Sequence, residues 1–125
     1  MAAPNIVNVT SIFGKTAYDA VLGTSQSVTL TNAAGSNKVL KINTITAANI
    51  DGTNGADLTV YVTTVSSTTP LFYLAHTISV PADSTLVLIS KDTSFYLEED
   101  RVIRAFASAT NDISLMVSYD ELDDA

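Results

Sequence analysis

The chain has 125 residues, of which 46% are hydrophobic and 15% are charged, and its formal net charge is -7. A chain of this size can bury enough surface for one hydrophobic core. The excess of carboxylates repels phosphate and argues against direct binding to nucleic acid or anionic membranes. The absence of cysteine excludes disulfides, thiolate catalysis and cysteine-containing metal sites.

The low share of charged residues has an implication for the surface. An average soluble domain carries about 25% charged residues, so Thr, Ser, Asn and Ala must cover much of the outside of this one. Such a surface can be desolvated at small electrostatic cost, which favours a subunit of an assembly over a freely diffusing enzyme. The beginning of the chain has no basic segment followed by an apolar run, and no stretch approaches 18 apolar residues. We therefore expect neither a signal peptide nor a membrane span.

The first part of the chain predicts short strands separated by turns. Asn5 to Phe13 alternates in polarity and predicts a first strand. Gly14-Lys15-Thr16 resembles the end of a phosphate-binding loop but lacks the required glycine five positions earlier, so we interpret it as a turn. Tyr18 to Leu22 could form a single helical turn. Ser27 to Thr31 predicts a second strand.

A long strand followed by a hairpin is predicted next. The long strand covers Lys38 to Ile50, and alternation places five of its residues on one face: Leu40, Ile42, Thr44, Thr46 and Ala48. The loop Asp51 to Asp57 contains two glycines and several side-chain oxygens, which are typical of a hairpin connection. In the strand after it, Leu58, Val60 and Val62 are expected to be buried, with Tyr61 facing outward.

The second half of the chain predicts further strands and a turn. Leu71 to Val80 forms a strand with five residues on one face, namely Phe72, Leu74, His76, Ile78 and Val80. The consecutive apolar residues of Leu86 to Ile89 predict a strand covered on both faces. Glu98-Glu99-Asp100 is interpreted as a turn after Leu97, and Asp112 to Tyr119 as the last strand.

Together, eight or nine strands without helical periodicity predict an all-β fold. We expect an antiparallel two-sheet β-sandwich, either jelly-roll or immunoglobulin-like, with a small β-barrel as the alternative. A single domain is predicted over residues 1–125, with a short N-terminal arm at about 1–12. The acidic end of the chain, at about 120–125, predicts a solvated or partner-binding tail.

Candidate chemical sites are few. The one histidine, His76, lies between Leu74 and Ile78 without a partner suited to catalysis, so we interpret it as a partly buried, hydrogen-bonded core residue. Asp51, Asn54 and Asp57 form a weak candidate for a calcium site, since hard cations bind clustered oxygens. Their spacing lacks the pattern of an EF-hand, and a solvated turn is the preferred interpretation. No catalytic or cofactor-binding residue is predicted.

Several segments, taken in order, resemble those of a known family as a set. They are Met1 to Val7, Lys41 to Ile45, Ile78 to Ile89, Tyr96 to Asp100 and Val117 to Glu121. With them the chain resembles the small β-rich virion proteins of tailed bacteriophages, especially those that infect marine cyanobacteria. Phe13 to Asn37 matches this family least well. The resemblance implies a particle component of the capsid decoration type, made in the cytoplasm of the host bacterium and incorporated into the virion, with no catalytic residues and no cofactor.

The sequence and the resemblance together predict a non-enzymatic structural subunit on the outer surface of a phage head. Its expected partners are the major capsid protein or other virion subunits, with no nucleic acid or membrane. Further copies of itself are expected to form a homo-oligomer, namely a trimer. Tyr61, Tyr73, Tyr119 and Leu122 are the candidate interface residues. The alternatives are a neck, tail or fibre-associated subunit, a host-surface carbohydrate-binding module, and a hydrolase based on His76. The absence of tryptophan argues against sugar binding, and the isolated histidine argues against hydrolysis.

Overall fold

The computed structural model describes residues 5–123 and consists of two antiparallel β-sheets packed against each other. The five-stranded sheet contains β1 (Ser11–Asp19), β3 (Lys38–Asn49), β6 (Thr85–Ile89), β7 (Phe95–Leu97) and β9 (Ile113–Asp123). The four-stranded sheet contains β2 (Ser27–Asn32), β4 (Ala56–Thr63), β5 (Phe72–Val80) and β8 (Arg101–Ala107). A 3-10 helix, Lys91–Thr93, precedes β7. The predicted all-β sandwich is confirmed.

The strands follow the order of a jelly roll. The two sheets run β1-β9-β3-β6 and β2-β8-β4-β5, and β7 pairs with the first half of β3. Strands β1 to β4 alternate between the sheets, so each of their connections crosses the sandwich. The hairpin predicted around Asp51 to Asp57 is therefore wrong, because β3 and β4 lie in different sheets. Turn residues mark a change of chain direction but do not specify which sheet the chain enters next.

The core lies between the sheets, and β4 is the strand covered on both faces. Its inward residues Leu58, Val60 and Val62 are buried as predicted, and Thr59, Tyr61 and Thr63 on its other face are buried too. Leu86 to Ile89, which was expected to be covered on both faces, lies instead in the edge strand β6, where Val87 is 59% exposed. The register shift opposite Thr46 makes Leu88 an extra residue. This bulge lets Leu86, Leu88 and Ile89 all pack inward, which explains the apolar run.

A bulge also changes the faces of β3. Ile42 pairs with Tyr119 of β9, but Thr44 pairs with Ser118, so Asn43 is an extra residue. The alternation reverses there, and Ile45, Ala47 and Asn49 are buried after it. The prediction that Thr44, Thr46 and Ala48 share the face of Leu40 and Ile42 is wrong for this reason.

Strand β5 contains two further extra residues, which expose His76. Leu58 of β4 pairs with Ile78, Val60 with Ala75, and Tyr61 with Tyr73. The alternation predicted for Leu71 to Val80 is lost, and Phe72, His76 and Ile78 are exposed. The prediction that His76 is a partly buried core residue is therefore wrong.

The first strand begins later than expected. Asn5 to Asn8 form a turn, closed by a bond from the Asn8 N–H to the Asn5 carbonyl at 3.0 Å, and β1 starts at Ser11. Gly14-Lys15-Thr16 lies within β1 and is not a turn. Tyr18 also belongs to β1, so the predicted helical turn is wrong. Pairing with β9 along all nine residues of β1 keeps this polar and glycine-containing segment extended. Of the predicted arm, residues 11 and 12 belong to β1, and residues 1–4 lie outside the described residues.

The acidic end of the chain belongs to the sheet. Residues 120–123 are part of β9, which lies between β1 and β3, and Glu121 and Leu122 are buried. The tail predicted at about 120–125 is wrong over these four positions, and residues 124 and 125 lie outside the described part of the chain. Pairing on both sides overrides the repulsion between neighbouring carboxylates. Deleting Glu121 to Ala125, which would have left the fold intact if this were a tail, is instead expected to destabilise the central strand.

Candidate functional site

The outer surface of the five-stranded sheet is broad and nearly without charge. We call it the A face. Strand registers place seventeen side-chain positions on it, namely Ile12, Gly14, Thr16, Tyr18, Val39, Lys41, Thr44, Thr46, Ala48, Thr85, Val87, Tyr96, Ser114, Met116, Ser118, Asp120 and Leu122. Among these described positions only Lys41 and Asp120 carry charge, and they are cross-strand partners. The chain contains 13 acidic and 6 basic residues, so nearly all of its charge lies elsewhere.

A row of three largely apolar side chains and one threonine crosses the A face at one level. Tyr18 pairs with Met116, Met116 pairs with Thr46, and Thr46 pairs with Val87, so the row spans β1, β9, β3 and β6. Tyr18 is 70% exposed at one end and Val87 is 59% exposed at the other. Exposed apolar side chains in a continuous group commonly mark a protein interaction site.

A cluster of three charges lies on the opposite side of the same sheet, near one end. Glu121 of β9 accepts from the ammonium groups of Lys15 on β1, at 2.6 Å, and Lys38 on β3, at 2.9 Å. The hydrogen bond from Lys15, then that from Lys38, lowers the pKa of Glu121, and Glu121 raises the pKa of Lys38. The Lys15 ammonium also lies 5.9 Å from the centre of the Phe13 ring. These contacts join three strands at the end of the sheet where Glu121 is buried.

Aromatic residues gather on the four-stranded sheet. The Tyr61 ring lies 5.7 Å from that of Tyr73 and 6.4 Å from that of Phe106, and the Tyr73 ring lies 4.8 Å from that of His76. Tyr61 was expected to face outward and be available, but these neighbours bury it. Tyr73 is exposed.

The other two candidate interface residues are less accessible than expected. Tyr119 is half-buried and packs against the core, and Leu122 belongs to the A face but is buried. Of the four predicted interface residues, Tyr73 is thus the one with an exposed ring, and its interface role stays a prediction. Central placement of β4 and β9 buries the others.

In the weak metal candidate, the Asp51 carboxylate is engaged by the backbone of its own loop. The Asp51 carboxylate accepts the backbone N–H groups of Thr53 and Asn54, at 2.8 and 3.3 Å, as in an Asx-turn. The bond from Thr53 has the largest effect and that from Asn54 the next, and both lower the pKa of Asp51. Within residues 5–123, no group of three or more acidic or histidine side chains is arranged to hold a metal ion. The arrangement supports the interpretation of the loop as a turn.

One buried carboxylate was missed from the sequence. Glu99, in the turn between β7 and β8, is only 5% exposed, and neither of its carboxylate oxygens has a hydrogen-bond partner. A buried carboxylate in this state is costly. The turn itself was predicted correctly, but the sequence does not indicate which of three consecutive acids points inward. Asp100, at φ 59°, bends the chain so that β8 can begin.

The A face was also not predicted as a unit. Its signal is present in β1 and β9, where small or uncharged residues such as Gly14, Thr16, Ser114 and Ser118 occupy most of the alternate positions on this face. Recognising it required knowledge that β1, β9 and β3 are neighbours, which no local pattern provides.

The geometry defines a jelly-roll sandwich with a large face that carries little charge. No protein-family model matches the chain, and no curated protein matches its sequence. No helix among residues 5–123 is long and apolar enough to cross a membrane.

Proposed function

We propose that this chain is a non-enzymatic structural subunit of a tailed phage particle, and that it binds other virion subunits through the A face. The resemblance of its sequence to small virion proteins points to a capsid decoration protein that binds the major capsid protein on the outside of the head. The observation that carries the proposal is the near absence of charge from a five-stranded face in a chain of net charge -7.

The size of the A face is suitable for this role. Strand spacings of about 4.8 Å and rises of about 3.3 Å per residue give it dimensions of roughly 20 by 30 Å. The resulting area of about 600 Å² is of the same order as the roughly 800 Å² that each partner buries in a specific protein interface. Hydroxyl and small apolar side chains can be buried there without the cost of desolvating ions.

The fold class is compatible with the proposal but does not prove it. Jelly rolls occur in viral capsid proteins and in lectins, and a fold alone does not establish a function. A neck, tail or fibre subunit would use the same kind of face, so the location on the particle must be measured directly.

The test is a binding assay with phage particles that lack this protein. Ser118, near the middle of the A face, is changed to Glu, which places a charge in the proposed interface. The matched control is Thr31→Glu, at an exposed position of β2 in the other sheet. We expect Ser118→Glu to abolish or strongly weaken binding and Thr31→Glu to bind like the parent.

Gold-labelled antibody then locates the bound protein on the head or tail. Equal binding by both variants would exclude the A face.

A sugar-binding role has one supporting observation, the exposed Tyr73 ring beside His76. Aromatic rings can stack on sugars. A glycan array probed with the parent and with Tyr73→Ala would reveal this function as a signal that the variant loses.

A further inference from the structure

The sheet edges of this sandwich are not equally protected. In the described part of the chain, the edge strands of five or more residues are β1 and β6 in one sheet and β2 and β5 in the other, and the three-residue β7 lies on the same side of β3 as β6. Exposed edges present unpaired backbone N–H and C=O groups and can pair with another chain, and bulges are a common means of preventing this.

Three of the four edge strands of five or more residues contain extra residues, and β7 is protected by its short length. Thr29 is the extra residue in β2, Leu88 the one in β6, and β5 has two. Strand β1 has none, and its register with β9 is unbroken over nine residues. It also contains no proline and a single lysine, Lys15, which is bound to Glu121. β1 therefore lacks the usual protection of an edge.

Side chains of β1 are exposed to solvent on both faces of the strand. Ile12 is 62% exposed on the A face side, and Phe13 is 51% exposed on the other side. Ala17 is the residue of β1 that packs against the core. An edge strand that exposes Ile12 on one face and Phe13 on the other is costly for an isolated molecule, because it leaves apolar surface in water.

We propose that β1 is the interface between two copies of this chain, which pair through this strand in antiparallel orientation about a two-fold axis at Gly14. The pairing would extend the two five-stranded sheets into one continuous sheet. This dimer adds to the assembly function proposed above. It rests on that function in one respect, namely that the chain acts as a subunit.

The second copy is favoured over an unrelated strand because β1 is self-complementary. A two-fold axis perpendicular to the sheet places one residue opposite its own copy. With Gly14 there, Ile12 faces Thr16 of the other copy and Phe13 faces Lys15 of the other copy. Residues 11–17 pair, and the contact between Lys15 and Phe13 that already exists within one chain is repeated across the interface.

The neighbouring registers are less favourable. An axis at Lys15 pairs all nine residues but sets Lys15 directly against its own copy, and like charges in this position repel. An axis at Phe13 shortens the pairing to residues 11–15. Gly14 at the axis avoids both problems, and its missing side chain allows close approach at the centre of the interface.

The proposal is tested by light scattering on the full chain. We expect a mass twice the 13.2 kDa of the single chain. Ile12→Lys combined with Thr16→Lys places two Lys–Lys pairs across the interface and should raise the dimer dissociation constant about tenfold or more. Ile12→Lys combined with Thr16→Glu replaces these by two Lys–Glu pairs and should restore the dimer. Thr85→Lys combined with Val87→Lys, on the protected edge strand β6, should leave it unchanged.

Each other result contradicts the proposal. A parent protein that is monomeric at its highest soluble concentration, or trimeric, excludes the dimer. If Thr85→Lys with Val87→Lys dissociates the dimer, the interface is not specific to β1. If Ile12→Lys with Thr16→Glu fails to restore the dimer, the register centred on Gly14 is excluded. Circular dichroism checks that each variant is folded. These measurements use no particles, so they are independent of the binding assay. The dimer proposal can be excluded while the A face still binds a capsid, and capsid binding can be excluded while the dimer still forms.

Discussion

The side-chain amide of Asn49 donates to the carbonyl of Val80 at 2.9 Å, joining the last residue of β3 in one sheet to the last residue of β5 in the other. Asn49 also donates to the Asn54 carbonyl and accepts from the Asp51 N–H, so its amide is fully used although it is buried. Asn32 has a similar role at the end of β2, donating to the carbonyls of Lys38 and Leu97.

Replacing Asn49 with Ala should destabilise the sandwich. The change leaves the buried Val80 carbonyl without its partner, and we expect a loss of about 2–3 kcal/mol in the free energy of unfolding. Urea unfolding followed by circular dichroism measures this. Asn54→Ala, at an exposed position of the same loop, is the control and should cost less than about 1 kcal/mol. Equal losses for both would contradict the bridging role.

The Glu121 cluster should make stability depend on acid pH. The pKa of Glu121 is lowered in the folded state, so its contribution is present above the unfolded pKa of roughly 4.3 and is lost as the pH falls through the lower folded pKa. Glu121→Gln should cost about 1–2 kcal/mol at pH 7, because two partly exposed lysines lose their partner. Unfolding curves of the two proteins should converge at strongly acid pH, and a constant difference would show that the charge is not responsible.

Glu99 is expected to be a site where substitution stabilises the protein. Glu99→Met removes a buried carboxylate that has no hydrogen-bond partner and should raise the free energy of unfolding by about 1–3 kcal/mol. Glu99→Gln removes only the charge and should give a smaller gain. Thermal melts and urea titrations provide the measurement. A loss of stability in the Met variant would show that the carboxylate has a stabilising partner in solution.

Metal removal should not affect the Asp51 to Asp57 loop. The Asp51 carboxylate is already engaged by backbone N–H groups, so excess EDTA is expected to leave the melting temperature unchanged. A decrease that added Ca²⁺ reverses would establish a metal site that the turn geometry does not suggest.

Local patterns predicted most strands but not their environments. Leu58, Val60 and Val62 were assigned correctly because β4 alternates without a bulge of its own. The faces of β3 and β5 were not, because extra residues such as Asn43 reverse the alternation and have no clear mark in the sequence. Charge was also misleading at Glu121, where Lys15 and Lys38 come from strands distant in the sequence. Such partners become visible only when the strand order is known.

Pairing of the first strand with the last has a consequence for biosynthesis. β9 separates β1 from β3, so the five-stranded sheet cannot close until Ile113–Asp123 has left the ribosome. Until then Ile12, Phe13 and Tyr18 belong to a nascent strand without its neighbour. Contacts this distant in the sequence also slow folding. Until β9 pairs with it, β1 has two unpaired edges and exposed apolar side chains, so this is the period in which it is most prone to aggregation.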